Sequence, residues 1–245
     1  MDISASTPRP LAFITGGSRG LGFEVAKALV QQGFDIALIA KDSQRLEDAA
    51  SKLRNGEAHI STFACDLEHP HLVRELIDSL TQSLPVPQVL VLAHGVMSEK
   101  MSKTLKTNDA EWRRVMAINL DSVFQLVNGI APAMTEARNG RVIIFSACLG
   151  RMSGPGNAGG LAPYRISKAG VNALVRNLAH ETGLGARGFL VDAICPNHSR
   201  TDMGGPDAPR SAEEGAATAI WLATRAFNAG DTTGVLWEDQ QVIPW

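Results

Sequence analysis

The chain has 245 residues, 44% of them hydrophobic, with a formal net charge of −2 and a mean hydropathy of −0.01. That length fits one α/β domain with a sizeable core. The near-neutral balance, without a long run of either sign, argues against a nucleic-acid or anionic-membrane surface. The apolar stretches are short and interrupted, which excludes a transmembrane helix.

Residues 1–10 lack the basic start and apolar stretch of a secretory signal and read as a flexible arm. Beyond them, short apolar runs alternate with helical periods. Strands are expected at Leu11–Thr15, Asp35–Ala40, His59–Ala64, Gln88–Ala93, Arg141–Ser146, Phe189–Cys195 and Gly234–Trp237. Helices are expected at Leu21–Gln32, Ser43–Arg54, Pro70–Ser83, Tyr164–Thr182 and Ala212–Thr224, with one long helix over Asp109–Met134. Strands apolar throughout and separated by helices indicate a single domain of α/β class, a doubly wound Rossmann-type parallel sheet covered on both faces. Cys65, Cys148 and Cys195 form no C-x-x-C pair and no metal-ligand spacing with histidine. The sparse, odd count predicts buried, inert thiols in a reduced cytosolic protein, and no metal site.

Two local patterns carry chemistry. The first is Thr15-Gly16-Gly17-Ser18-Arg19-Gly20-Leu21-Gly22, between the first strand and first helix. Its glycines allow a tight turn and close backbone approach to a pyrophosphate, and the helix N-terminus supplies N–H groups. The second is Tyr164-x-x-x-Lys168, whose side chains share one helical face. A lysine there favours the phenolate and lowers the tyrosine pKa from about 10, so the phenol could exchange a proton with a carbonyl or alcohol oxygen.

These motifs, with Asn119 and Pro196 at their spacings, resemble the short-chain dehydrogenase/reductase family across Leu11 to Trp245. The ending, from Thr201-Asp202-Met203-Gly204-Gly205 through Glu213-Glu214-Gly215 to Val242-Ile243-Pro244-Trp245, looks like the carbonyl-reductase-like branch. The resemblance implies a nicotinamide cofactor held by Gly16, Ser18, Arg19, Gly20, Leu21, Gly22, Asp66 and Leu67, by the backbone of Ala93 and Gly95, and by Tyr164, Lys168, Pro196, Ser199 and Thr201. The second strand ends Leu38-Ile39-Ala40-Lys41, without the acid that would bind both ribose hydroxyls. Lys41 and Arg19 can instead flank a 2′-phosphate, which predicts NADP. His94 stands where the family has an amide and reads as a packing residue. Asn197 replaces a glycine and is the side chain best suited to positive φ. His198 reads as loop packing near the substrate mouth.

The implied catalytic set is Tyr164 as acid/base, Lys168 as ribose ligand and pKa modulator, Asn119 as holder of a water leading to solvent, and Ser146 as the candidate for the substrate-binding serine. The family's serine, in a Ser-x-x-Gly pattern, falls on Ala147, with Ser146 one residue early and facing the other way. A bulge re-aiming Ser146, an inward Ser153, and a weakened or specialised activity are the three resolutions. The implied function is a cytoplasmic NADPH-dependent oxidoreductase acting on a small-molecule carbonyl, as a homodimer or homotetramer. The alternatives are an NADP-binding protein acting by ligand or partner binding, and a non-redox biosynthetic step.

Overall fold

Strand alternation decides which residues meet which helices. In β1 (Leu11–Thr15), Leu11 and Phe13 join one apolar cluster, while Ala12 and Ile14 join the other, on the opposite face. The computed structural model describes residues 8–54, 56–99, 102–154, 158–226, 228 and 230–245. Of the expected N-terminal arm, residues 1–7 lie outside the described residues. Arg9 and Pro10 are tied down: Arg9 Nε donates to Asp35 Oδ1 at 3.1 Å, and Asp35 N to Pro10 O at 2.8 Å.

The remaining strands are β2 (Asp35–Ala40), β3 (Ile60–Ala64), β4 (Val89–Leu92), β5 (Gly140–Phe145), β6 (Phe189–Ile194), β7 (Leu236–Glu238) and β8 (Gln241–Ile243). They form one sheet in the order β3-β2-β1-β4-β5-β6-β7-β8, parallel except for the antiparallel β7–β8 pair. Helices α1 (Gly20–Gln31), α2 (Ser43–Leu53) and α7 (Ala212–Thr224) pack on one face. Helices α3 (Pro70–Ser83), α5 (Ser122–Glu136) and α6 (Ala162–Glu181) pack on the other. The expected α/β doubly wound sheet is the observed one.

Three expectations are corrected. The long helix is two, α4 (Asp109–Met116) and α5, joined by a π-helical turn over Ala117–Asp121. The hairpin strand β8 was not anticipated. The third concerns the thiols: Cys148 and Cys195 form a disulfide, and only Cys65 is a free, buried thiol. The parallel pairing Phe145↔Ile194 is responsible. It holds the two strand ends together, and the turn after Ala147 brings Cys148 back beside Cys195, with the two Cα atoms 5.5 Å apart, within the span a disulfide can bridge.

The connection leaving β1 runs to β2 and the one leaving β4 runs the opposite way to β5, so a crevice opens at the carboxyl ends of β1 and β4. The loops that follow β1, β4, β5 and β6, which carry most of the expected site residues, leave the sheet at that edge.

Candidate active site

The glycine turn is shaped by crowding. A Cβ on Gly22 would lie 2.4 Å from Gly16 O, and one on Gly16, at φ 66°, would lie 3.0 Å from Ala93 C and His94 N. Helix α1 can therefore start only if these positions carry no side chain. Its N-cap, Arg19, makes no side-chain cap, whereas α2 is capped by Asp42 and α7 by a Ser211–Glu214 capping box. The first N–H groups of α1 thus remain available to an anion at the positive end of the helix. Leu21 is half-buried against the cluster beneath, and Ser18 completes the turn. Opposite, a Cβ on Gly20 would lie 3.1 Å from Thr201 Cγ2, and Arg19 forms an exposed ion pair with Asp202. The loop after β6 therefore closes directly on the phosphate turn.

Both expected 2′-phosphate cations are already paired with carboxylates. Lys41 Nζ lies 2.7 Å from Asp66 Oδ2, with the lysine side chain 71% exposed. Leu67, next along, is buried. Exposed pairs of this kind contribute about 0–1 kcal/mol, so a bound phosphate can displace the carboxylate at small cost. A groove of about 420 Å³ lined by Lys41, Thr62, Asp66 and Glu75 runs along the open edge of β3, adjoining the crevice through Lys41 and Asp66.

His94 is a structural bridge. Its Nδ1 lies 2.6 Å from Thr15 Oγ1 and its Nε2 2.9 Å from Ser122 Oγ, while Ser122 donates to Ile118 O at 2.7 Å. With the Ser122 proton spent on Ile118, Nε2 donates to Ser122 and Nδ1 accepts from Thr15. Burial, then the charge of Lys168, pushes the imidazole down to about 3, so the ring is neutral. This chain of bonds runs from the end of β1 to the π-turn.

Asn119, fully buried on the π-turn, spends its carboxamide as a clamp. Its Nδ2 donates to Val96 O at 2.9 Å and Ser167 Oγ at 3.1 Å, and its Oδ1 accepts from Val96 N at 2.8 Å. The amide therefore joins the β4 loop, the π-turn and α6. A Cβ on Gly95 would lie 3.4 Å from Asn119 Oδ1 and 3.5 Å from Lys168 Nζ, so Gly95 and Ala93 form a bare floor beside both. Helix α6 brings in Tyr164 and Lys168, 6% and 4% exposed. Among the described residues no hydrogen bond takes up the Tyr164 hydroxyl, while Lys168 Nζ donates to Phe145 O at 2.6 Å. The expected lowering of the phenol pKa is not what this arrangement gives. Burial pushes Tyr164 up to about 12 and Lys168 down to about 8, with the ammonium 5.9 Å from the ring centroid. Desolvation outweighs the attraction of the lysine. At neutral pH the phenol is a proton donor.

Ser146 does not fill the gap left by Ala147. Its hydroxyl donates to Asn172 Oδ1 at 2.5 Å and Lys168 O at 3.3 Å, buried between β5 and α6. No bulge re-aims it: Ser146 N continues the ladder to Ile194 O at 2.8 Å, and the side chain stays on its α6 partners. Ser153 points away as well, donating to Trp245 O at 3.2 Å. Residues 155–157 of that loop lie outside the described residues. Half-buried Ala147 is the residue at the expected position, and a Cβ on Gly150 would meet Lys168 Cβ at 2.8 Å, so this loop packs hard on α6.

Pro196 opens the last loop, and Asn197 takes φ 56°, as its side chain suggested. Ser199, buried, donates to Pro196 O at 3.0 Å, and Thr201 Oγ1 accepts from Gly204 N at 3.1 Å. His198 is exposed and packs its Nε2 2.8 Å from Gly204 O. Together the bare glycine turn, the uncapped α1 and this loop fit an anionic dinucleotide lying across the crevice.

The family model for short chain dehydrogenases matches residues 10–211. The chain belongs to the short-chain dehydrogenase/reductase family. It is accordingly a member of a family of oxidoreductases that use NAD(P). Carbonyl reductase (NADPH) 1 of Mus musculus is 28% identical over 281 aligned positions, covering 98% of this chain and all of that protein. A 3-oxoacyl-(acyl-carrier-protein) reductase of Pseudomonas aeruginosa is 31% identical over 204 positions, covering 82% and 79%. A solved short-chain dehydrogenase/reductase family protein superposes with TM-score 0.79 at 25% identity, covering 93% of this chain and 94% of its own. Among the described residues no helix is long and apolar enough to cross a membrane.

His94 ionises near 6.5 when unperturbed and at about 3 in the fold. Between those values the unfolded chain binds more protons, so this contribution to stability is complete above about 6.5 and lost as pH falls toward about 3. Urea midpoints at about pH 7 and about pH 4.5 measure the loss. The drop is expected to be smaller in His94→Gln; equal drops contradict the neutral bridge.

Proposed function

We propose that this protein is an NADPH-dependent reductase of small-molecule carbonyl compounds, with Tyr164 as the proton donor. The observation that carries this reading is a buried, protonated phenol beside a buried lysine, opening on the same crevice as the glycine turn. The similarity to the mouse carbonyl reductase (NADPH) 1 supports the choice of cofactor and substrate class.

The cofactor supplies the hydride. This chain's residues do the rest. Gly16, Ser18, Gly20, Leu21 and Gly22 would receive the pyrophosphate, and Arg19 and Lys41, now paired with Asp202 and Asp66, would turn to a 2′-phosphate. Asp66 and Leu67 would border the adenine, while Pro196, Ser199 and Thr201 would hold the carboxamide end. Lys168 would hold the nicotinamide ribose, and Tyr164 would give its proton to the substrate oxygen. Asn119 positions Lys168 through Ser167. Ala147 adds only a methyl, so the oxygen receives one donor where a serine would have supplied a second. Such a donor is worth about 10²–10³ in rate, which makes this a slow enzyme for simple carbonyls. Exposed Trp112 on α4, Phe124 on α5 and Ile166 on α6 give these helices apolar outer faces, in keeping with a homodimer or homotetramer. The proposed setting is the cytoplasm.

The commitment of Ser146 to Asn172 favours the second reading, an NADP-binding protein with little turnover. A panel of carbonyls followed by NADPH fluorescence separates the two: binding with no oxidation of NADPH by any carbonyl removes the reductase.

Tyr164→Phe is expected to lower kcat by about 10²–10⁴ while NADPH affinity changes little. An undiminished kcat refutes the role. Lys41→Ala is expected to weaken NADPH at least about tenfold and leave NADH nearly unchanged, the cost of one charge-assisted contact. Equal affinity for both cofactors before and after substitution contradicts the assignment. Ala147→Ser is expected to raise kcat, by up to about 10²-fold, at constant NADPH affinity; an equal or lower rate means the oxygen already has its second donor.

A further inference from the structure

The cysteine pair sits on the two walls of the site. Cys148 follows Ala147, and Cys195 precedes Pro196, where the loop to Thr201 begins. The strands behind them are already joined by ladder hydrogen bonds up to Phe145↔Ile194, so the sheet does not need the link. We infer that Cys148–Cys195 is a reversible thiol pair, oxidised by a low-molecular-weight disulfide such as glutathione disulfide, that locks and releases these two walls.

The surroundings give each sulfur a part in thiol exchange. Cys148 is half-buried and Cys195 is 3% exposed, so an incoming disulfide meets Cys148. Glu238 Oε2 lies 2.7 Å from Cys148 Sγ. A carboxylate there can accept a proton from a thiol, but a bridged sulfur has none to give. The contact is therefore built for the reduced pair, with Glu238 as base. The backbone N–H of Cys148 donates to Cys195 Sγ at 3.0 Å, which favours a thiolate on Cys195. A merely structural cross-link calls for neither group.

The step balances. Glu238 takes the Cys148 proton, and the thiolate attacks one sulfur of glutathione disulfide, whose S–S bond breaks and releases one glutathione. The Cys195 thiolate then attacks Cys148 Sγ and expels the second. The dithiol loses two electrons and two protons, and the two glutathione thiols carry them away. Cys148, Cys195 and Glu238 also set their ligand atoms within 4.8 Å of one another, but a cation would need both thiolates, which the bond withdraws.

Locking matters because Asn197, held at φ 56°, is two residues from Cys195. The bond fixes that turn against the Ala147 wall, so the oxidised chain presents a preorganised cofactor loop. This consequence rests on reading residues 196–201 as the nicotinamide loop; the thiol chemistry does not.

The full chain is equilibrated in glutathione buffers from fully reduced to fully oxidised, acid-quenched, alkylated and weighed intact, with NADPH affinity read by fluorescence on the same samples. Three alkylated cysteines are expected under reduction and one, Cys65, under oxidation, in a single transition. Glu238→Gln is expected to slow oxidation about tenfold without shifting its endpoint. NADPH is expected to bind about three- to tenfold more tightly to the oxidised chain, a difference absent in Cys148→Ser. The inference is overturned by three alkylations at every ratio, by one alkylation under full reduction, by thiols protected until a chelator removes zinc, or by equal NADPH affinity in both states. The native chain supplies both states, so a Cys148→Ser chain that fails to fold leaves the test intact. No NADPH binding in either state refutes the cofactor reading instead, while alkylation still decides the thiol pair.

Discussion

Parallel strands cannot be joined by tight hairpins, and every functional feature of this molecule follows from that constraint. Each βα unit must cross over a face of the sheet, so each strand leaves its outgoing loop at the same, carboxyl edge. At β1 and β4 the crossovers diverge, and the edge opens. Residues as distant in sequence as Gly16, Asn119, Tyr164 and Asn197 meet there because the sheet order brings their loops together. The glycines are the local expression of the same crowding: Gly22 against Gly16 and Gly150 against α6 are contacts that leave no room for a Cβ.

Within the crevice, the balance between burial and charge sets the chemistry. Tyr164 and Lys168 are close in space, yet each is shifted toward its neutral form, because desolvation acts on both. Raising the phenol from 10 to about 12 corresponds to roughly 3 kcal/mol against ionisation. That direction suits proton donation, which is the need of a reductase, more than proton removal from an alcohol. His94 follows the same logic at the opposite sign. It is held neutral between two hydroxyls, and so adds no second positive charge beside Lys168.

Much of this was legible in the sequence, for definite reasons. The limits of β1, β2, α3 and α7 follow from apolar runs bounded by caps and turn residues, and the structure reproduces them. Ser146 was the serine candidate although strand alternation already argued against it, and its hydroxyl is instead committed to Asn172 and Lys168 O. The π-turn at Asn119 was hidden because one inserted residue barely disturbs the apolar period of a long helix. The partners of Lys41 and Arg19 were hidden because Asp66 and Asp202 reach them only through the fold. The Cys148–Cys195 bond was hidden for the same reason: 47 residues separate them, and only the β5–β6 pairing together with the turn after Ala147 makes them neighbours.

The measurement that bears most directly on the central claim is isotope transfer. NADPH deuterated at nicotinamide C4, incubated with the protein and a panel of ketones and aldehydes, is followed by mass spectrometry of the products. The account predicts deuterium at the carbinol carbon of at least one product, formed with the native chain and not with Tyr164→Phe. Bound NADPH that never passes deuterium to any carbonyl would contradict it.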